Sequence, residues 1–130
     1  MKLLLDTSAY VRFKQNMTEV VEYIANARIV FFSSVVLGEL MFGFRNGTKF
    51  DKNMAELREF LSRDVVEPVP VGEVTADRYA RIAAGLKKQG EPIPTNDIWL
   101  AAQTMELGAE LVTSDRHFEK VNGLVFKMFD

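Results

Sequence analysis

The chain contains no cysteine, which removes disulfides, thiol nucleophiles and zinc–thiolate sites together. It contains a single histidine, His117. A metal-free cleavage that needs one histidine as acid and another as base is therefore excluded. No run of about 18 apolar residues occurs, so no segment is long enough to span a membrane as a helix. The apolar start, Lys2–Leu5, is too short for a secretory signal and reads as a strand. Together these absences set the expectation of a cytoplasmic protein. There is no GxSxG elbow, no P-loop and no GxGxxG. A phosphatase with an aspartyl nucleophile would want a second acid two residues after Asp6, where Ser8 stands. An acid pair of the glycosidase kind fits the residue types, but nothing in the expected fold supports it. Excess positive charge is also missing: the formal net charge is −2, whereas proteins that hold nucleic acid by electrostatics alone are usually basic.

What is present is an ordinary globule of 130 residues, 48% hydrophobic and 26% charged. That is enough chain to bury a real core, and residues 1–130 are expected to form one domain. The segments alternate in type. Lys2–Leu5 is a strand, followed by a helix through Phe13. Met17, Val20, Val21 and Ile24 fall at helical spacing. Arg28–Phe32 reads as a buried strand, after which Ser33 or Ser34 caps a helix to about Phe44, ended by Asn46-Gly47. Phe50, Met54, Leu57 and Leu61 mark another helix. The stretch 65–71 carries Pro68 and Pro70, which confines it to an edge strand or a connector. A long helix from Thr75 stops at Gln89-Gly90, and a further one, capped by Thr95 or Asn96, runs to Gly108. Glu110–Thr113 is a strand, 115–120 a short helical turn, and Leu124–Lys127 a last strand. Strands alternating with helices predict an α/β sandwich around a mostly parallel sheet.

Four acids stand at the ends or on the inner faces of apolar segments: Asp6, Glu39, Asp97 and Asp115. Three have a simple structural explanation. Asp6 and Asp115 can cap the helices that follow them, and Asp97 lies in a first helical turn, where the helix dipole favours an acid by about 0.3–1 kcal/mol. Glu39 has no such explanation, because Val35, Val36, Phe42 and Gly43 share its helical neighbourhood. It belongs either to the rim of the core or to a ligand set. In a parallel sheet, ligands gather beyond the carboxyl ends of the strands, and Asp6 and Asp115 each lie one or two residues past a strand.

Bringing four carboxylates together is costly without a cation. Two of them about 4 Å apart repel by about 4 kcal/mol at an effective dielectric near 20. Oxygen-only ligation selects hard cations, Mg²⁺ or Mn²⁺. Such a site suits phosphoryl chemistry, since it polarises a phosphate oxygen, activates water and stabilises the leaving oxygen. Thr7, Ser8, Thr113 and Ser114 can supply hydroxyls. Setting the four acids aside leaves 14 acids against 16 bases, a nearly neutral remainder. Arg12, Lys14, Arg45, Lys49 and Arg116 are candidate phosphate contacts, although a solvated surface role explains any one of them. His117 is expected to be an exposed side chain following Asp115.

Three blocks, LLLDTSAY, SSVVLGELMFG and PIPTNDIWLAAQTMELGAELVTSDRHF, resemble the PIN domain family in order and spacing across residues 1–119, and within it the VapC-type toxin ribonucleases. The resemblance implies a three-layer α/β/α fold around a parallel sheet of about five strands. It implies a metal pocket formed by Asp6, Glu39, Asp97 and Asp115, with Thr7 and Thr113 in support. It further implies an endoribonuclease acting on tRNA or rRNA that leaves 5′-phosphate and 3′-hydroxyl ends, a homodimer, and a small antitoxin laid over the pocket. The chain departs from the pattern at His117, where many relatives carry an acid, and this weakens the case for a second metal. Two other readings remain at this stage. One is a housekeeping RNA-processing nuclease. The other is a protein-binding module that uses the apolar surplus of Met41, Phe42, Phe44, Phe50, Met54 and Phe60, a set that core packing also explains.

Overall fold

A computed structural model describes residues 1–130. Five strands, Lys2–Leu5 (β1), Ile29–Ser33 (β2), Val66–Val69 (β3), Glu110–Thr113 (β4) and Phe126–Met128 (β5), form one sheet in the order β3-β2-β1-β4-β5. Every neighbouring pair is parallel. The connections carry six helices: Thr7–Lys14 (α1), Thr18–Ala25 (α2), Ser34–Arg45 (α3), Phe50–Leu61 (α4), Glu73–Gln89 (α5) and Thr95–Glu106 (α6), with a short 3₁₀ turn at Arg116–Lys120. Parallel crossovers are right-handed. That rule puts α1–α4 on one face as the chain steps from β1 to β3, and α5 and α6 on the other as it returns to β4. The result is three layers.

The strand order reverses between β1 and β4, the place in an open parallel sheet where ligands are bound beyond the carboxyl ends of the strands. β1 is anchored to hold that place. Leu3, Leu4 and Leu5 are all fully buried, as a central parallel strand covered on both faces requires. Leu4 registers with Phe31 on one side and Leu111 on the other. Burying each leucine contributes about 1.5–3 kcal/mol, so the strand cannot slide without losing several of these terms. Tyr10, Phe13, Phe32 and Phe60 pack edge-on or tilted at centroid distances of 5.2–5.7 Å, fixing α1 and α4 on the sheet.

β3 is an edge strand, with Pro68 opposite Phe32, consistent with proline's missing donor. Three local expectations need correction. β2 starts and ends one residue later than Arg28–Phe32, because Ser33 both pairs with Val69 and caps α3 by accepting from the Val35 amide at 3.0 Å. β5 lies at Phe126–Met128 instead of Leu124–Lys127, since Leu124 is spent closing a turn onto Val121 beside the left-handed Gly123. The cap of α6 is Pro94, not Thr95 or Asn96. The Pro94 carbonyl accepts from the amides of Asp97 and Ile98, so Thr95 is already inside the helix and Asp97 sits in its first turn. Of the apolar surplus, Met54 and Phe60 are core, Met41, Phe44 and Phe50 are half-buried, and Phe42 is 71% exposed. No helix is long and apolar enough to cross a membrane.

Candidate metal centre

The site is built where β1 and β4 end side by side. The Asp6 amide donates to the Val112 carbonyl at 3.2 Å, which prolongs the β1–β4 pairing by one residue and holds the Asp6 side chain at the carboxyl ends of the two strands. Asp6 is 5% exposed. Its Oδ1 accepts from the Ala9 amide at 2.8 Å and the Ser8 hydroxyl at 2.6 Å, while Oδ2 accepts from the Thr113 hydroxyl at 2.5 Å. The capping explanation is therefore correct for Asp6, and it does not compete with a role in the site. One oxygen caps α1 and the other turns towards β4.

Two hydroxyls tie the strand ends together. Thr113, itself buried, donates to Asp6 and accepts from the Asp115 amide at 2.9 Å. Ser8 donates to Asp6 and accepts from the Ser114 amide at 3.0 Å. Asp115 is in turn the cap of the 3₁₀ turn, its Oδ1 accepting from the His117 amide at 2.9 Å. The small polar residues between strand and acid thus set the positions of Asp6 and Asp115 relative to each other.

Asp97 arrives from the other face on α6. Its Oδ2 lies 3.0 Å from His117 Nδ1, and the same nitrogen is 3.0 Å from Asp115 Oδ1. Ligand atoms of Asp97, Asp115 and His117 lie within 4.8 Å of one another. Burial pushes the Asp97 carboxyl above its ordinary pKa, with the charges of Asp115 and Asp6 adding to the rise and the His117 contacts opposing it. Asp6 is shifted the same way, first by burial and last by the Asp115 charge, against the lowering pull of its three hydrogen bonds. These mutual effects place Asp6, Asp97 and Asp115 in one electrostatic group.

Glu39 stands beside that group. It is half-buried on α3, and the Thr7 hydroxyl donates to its Oε1 at 2.7 Å. Thr7 directly follows Asp6, so Glu39 is linked to the acids through one hydroxyl and belongs at the rim of the site. Sequence reasoning missed His117, expected to point into solvent. Its side chain is 45% exposed, yet Nδ1 meets two of the acids. The available signal was its spacing: a residue two places after a capping aspartate is carried back over that aspartate by the turn.

The residues present fit a divalent cation. Two carboxylates and one imidazole bring ligand atoms within 4.8 Å of one another, Asp6 is joined to the Asp115 loop through Thr113, and none of the three acids is paired with lysine or arginine. A partly buried cluster of acids whose one basic neighbour is the His117 imidazole is relieved by a cation more effectively than by any rearrangement of the hydroxyls. Carboxylate oxygens of this kind match a hard divalent cation. The candidate phosphate-binding bases are mostly committed locally. Lys14 lies 3.7 Å from Glu56, Arg116 is 3.2 Å from Glu119, and Arg45 stacks over Phe50 at 4.4 Å. Arg12 donates to Met17 Sδ at 3.3 Å, while Lys49 is exposed at the start of α4.

The chain is similar in sequence and fold to known proteins. The profile of the PIN domain family matches residues 3–124. Ribonuclease VapC2 of Haemophilus influenzae is 32% identical over 127 residues, covering 95% of both chains. The tRNA(fMet)-specific endonuclease VapC of Shigella flexneri is 29% identical over the same length and coverage. Among solved structures, VapBC2 from Rickettsia felis, bound to a DNA fragment from its promoter, superposes with a TM-score of 0.88 at 24% identity over all of both chains. VapBC-5 from Mycobacterium tuberculosis, a member of the VapBC family of toxin–antitoxin systems, gives 0.73 at 25% identity, covering 98% of this chain and 97% of that one.

Proposed function

The chain belongs to the PIN domain family, and from that premise we propose that it is a metal-dependent endoribonuclease, the toxin of a toxin–antitoxin pair. Residues 1–130 act as one nuclease domain. The observation that carries the reading is that Asp97, Asp115 and His117 bring ligand atoms within 4.8 Å of one another, with Asp6 joined to the Asp115 loop through Thr113 and no lysine or arginine partner on any of the acids.

In this reading Asp6, Asp97 and Asp115 hold Mg²⁺ or Mn²⁺, and Glu39 completes the shell or orients water at its rim. When bound, such a cation polarises a phosphoryl oxygen and makes water a better nucleophile. The protein's own residues do the positioning. Thr113 and Ser8 fix Asp6 against the Asp115 loop, and Thr7 fixes Glu39. Glu39 is the carboxylate placed to take a proton from water approaching from the α3 side. Water attacks the scissile phosphorus in line, passing its proton to Glu39, and the P–O3′ bond breaks, so that the 3′ oxygen leaves with a proton from solvent and the ends are 5′-phosphate and 3′-hydroxyl. A site beyond the carboxyl ends of β1 and β4 is open to single-stranded or looped RNA, whose backbone can bend towards it. The names of the relatives support tRNA as the first substrate class to try.

The partners proposed are a second copy of the chain and a small antitoxin, the latter supported by the toxin–antitoxin assembly of the M. tuberculosis relative. The exposed Phe42 on α3 is a contact available to either.

The deciding experiment is incubation of purified protein with a tRNA and rRNA pool in Mg²⁺, Mn²⁺ or EDTA, with Asp6→Asn prepared identically. Discrete 5′-phosphorylated fragments, absent in the EDTA and variant arms, are expected. Equal patterns from wild type and variant in every arm would remove the nuclease reading and favour the protein-binding module.

A further inference from the structure

The only nitrogen ligand within reach of the acids is the His117 ring. Its placement is built by the turn that carries it: Asp115 Oδ1 takes the His117 amide at 2.9 Å, which folds the side chain back over the same carboxylate. A half-exposed imidazole on a short surface turn is free to extend into solvent, yet Nδ1 rests 3.0 Å from Asp115 Oδ1 and 3.0 Å from Asp97 Oδ2. Neighbouring donors on an octahedral cation with bonds of about 2.1 Å stand about 3.0 Å apart. Nδ1 therefore already stands at ligand-to-ligand spacing from each of the two carboxylate oxygens, and all three atoms lie within 4.8 Å of one another. No hydrogen bond from the protein reaches the other oxygens, Asp97 Oδ1 and Asp115 Oδ2, which leaves the carboxylates room to turn towards an ion.

We propose that His117 is itself a ligand of the cation, through Nδ1 between Asp97 and Asp115, and that it tilts the site towards Mn²⁺ and away from Mg²⁺. This rests on the metal-centre reading above. The physical basis is donor softness. Mg²⁺ is bound almost entirely by oxygen, whereas imidazole is a good ligand for first-row transition metals. A neutral nitrogen in place of a carboxylate oxygen removes one negative charge, which weakens the binding of both cations, and supplies a donor that Mn²⁺ accepts more readily than Mg²⁺. His117 is then a specificity-determining residue for the cofactor.

The test is spectroscopic and needs no turnover. Metal-free full-length protein is loaded with Mn²⁺, and the electron spin echo is examined for nitrogen coupling. Affinities for Mn²⁺ and Mg²⁺ are measured by competition on wild type and His117→Asp. The expected result is a nitrogen coupling in wild type that disappears in His117→Asp while Mn²⁺ still binds. The Mn²⁺-over-Mg²⁺ preference should fall by about 10-fold or more, the scale on which changes around a metal centre alter affinity. Mn²⁺ bound to wild type without nitrogen coupling would overturn the ligand assignment and leave the all-carboxylate site intact. Mn²⁺ binding no tighter to wild type than to Asp6→Asn would overturn the metal centre itself, so the two failures are told apart. The wild-type spectrum decides the assignment even if His117→Asp does not fold.

Discussion

The two ends of the same pair of strands handle charge in opposite ways. At the amino end of β4, Glu110 accepts a hydrogen bond from the Tyr23 hydroxyl, and Lys127 lies over the Tyr23 and Phe129 rings at 5.6 and 5.5 Å. The acid there has a donor, and a cation stands close by. At the carboxyl end, Asp6, Asp97 and Asp115 have hydroxyls, amides and one imidazole, but no lysine or arginine. The amino end also has the more inviting hollow, a cavity of about 620 Å³ lined in part by Lys2, Tyr23, Arg78 and Glu110. Concavity points one way and uncompensated charge the other. Charge is the better guide here, because a hollow costs a fold little to leave, whereas converging acids persist only if something outside the chain relieves them.

The widest separation between the two ends is in catalysis. Asp115→Asn should lower the rate of RNA cleavage by about 10²–10³-fold, the scale of removing one electrostatic contact to the transition state. Glu110→Gln, five positions before Asp115 but at the opposite end of β4, should leave the rate unchanged. A Glu110→Gln variant as impaired as Asp115→Asn would move the reactive end to the opposite edge of the sheet. A smaller loss, about 10–100-fold, is expected for Glu39→Gln, because Glu39, held by the Thr7 hydroxyl, acts from the rim of the site. Initial-rate assays at saturating Mn²⁺ separate the grades, and a Glu39→Gln loss equal to that of Asp115→Asn would place Glu39 among the direct ligands.

The amino end was harder to foresee than the carboxyl end, for a physical reason. Asp6, Asp97 and Asp115 announce themselves locally, each as an acid directly attached to an apolar segment, and the parallel alternation of strands and helices brings them to one edge. The three leucines of β1 likewise disclose a central strand. Contacts between distant side chains leave no such trace: Tyr23 and Glu110 are 87 positions apart, and neither has unusual neighbours in sequence. His117 is the intermediate case. Its spacing from Asp115 was visible, but the 3₁₀ geometry that turns the ring inward depends on a capping bond formed only in the folded loop. Pro94 was misjudged because a side-chain cap at Thr95 or Asn96 looked sufficient, while the structure lets a proline carbonyl begin α6.

Stability gives a third way to sharpen the contrast. The Asp97 carboxyl is raised by burial and by its acidic neighbours, so its folded-state pKa lies above its unfolded value. The favourable contribution of such a group is complete below about pH 3.9, its unfolded pKa, and is lost as pH rises through the folded pKa. In metal-free protein at neutral pH, Asp97→Asn should therefore stabilise by about 1 kcal/mol, within the range reached by relieving charge repulsion. The gain should vanish on acidification and reverse when Mn²⁺ is added to both proteins. Urea unfolding at pH 7 and pH 4, with and without Mn²⁺, checks each sign. Destabilisation of the metal-free protein at pH 7 would mean that the helix-dipole role of Asp97 outweighs repulsion.

The smallest expected effect belongs to the compensated end. Tyr23→Phe removes the hydroxyl that satisfies Glu110, and a single hydrogen bond at a half-buried position contributes about 0.5–1.5 kcal/mol. Glu110 is half-buried and can recruit water, so the lower part of that range is expected. Cleavage should be unaffected. The pH dependence distinguishes this contact from simple packing: burial, with Glu110 adding to it, pushes the Tyr23 hydroxyl up to about 12, above the ordinary tyrosine value near 10. Stability tied to the protonated hydroxyl is then fully present below about pH 10 and is lost as pH rises towards 12. The difference between wild type and Tyr23→Phe in guanidinium unfolding should be constant from pH 7 to 9.5 and shrink above it. Tyr10, also pushed up to about 12, is common to both proteins and cancels in that difference. A gap that stays constant through pH 12 would show that Tyr23 contributes through its ring against Phe129, and that Glu110 is no better compensated than the acids at the other end of the sheet.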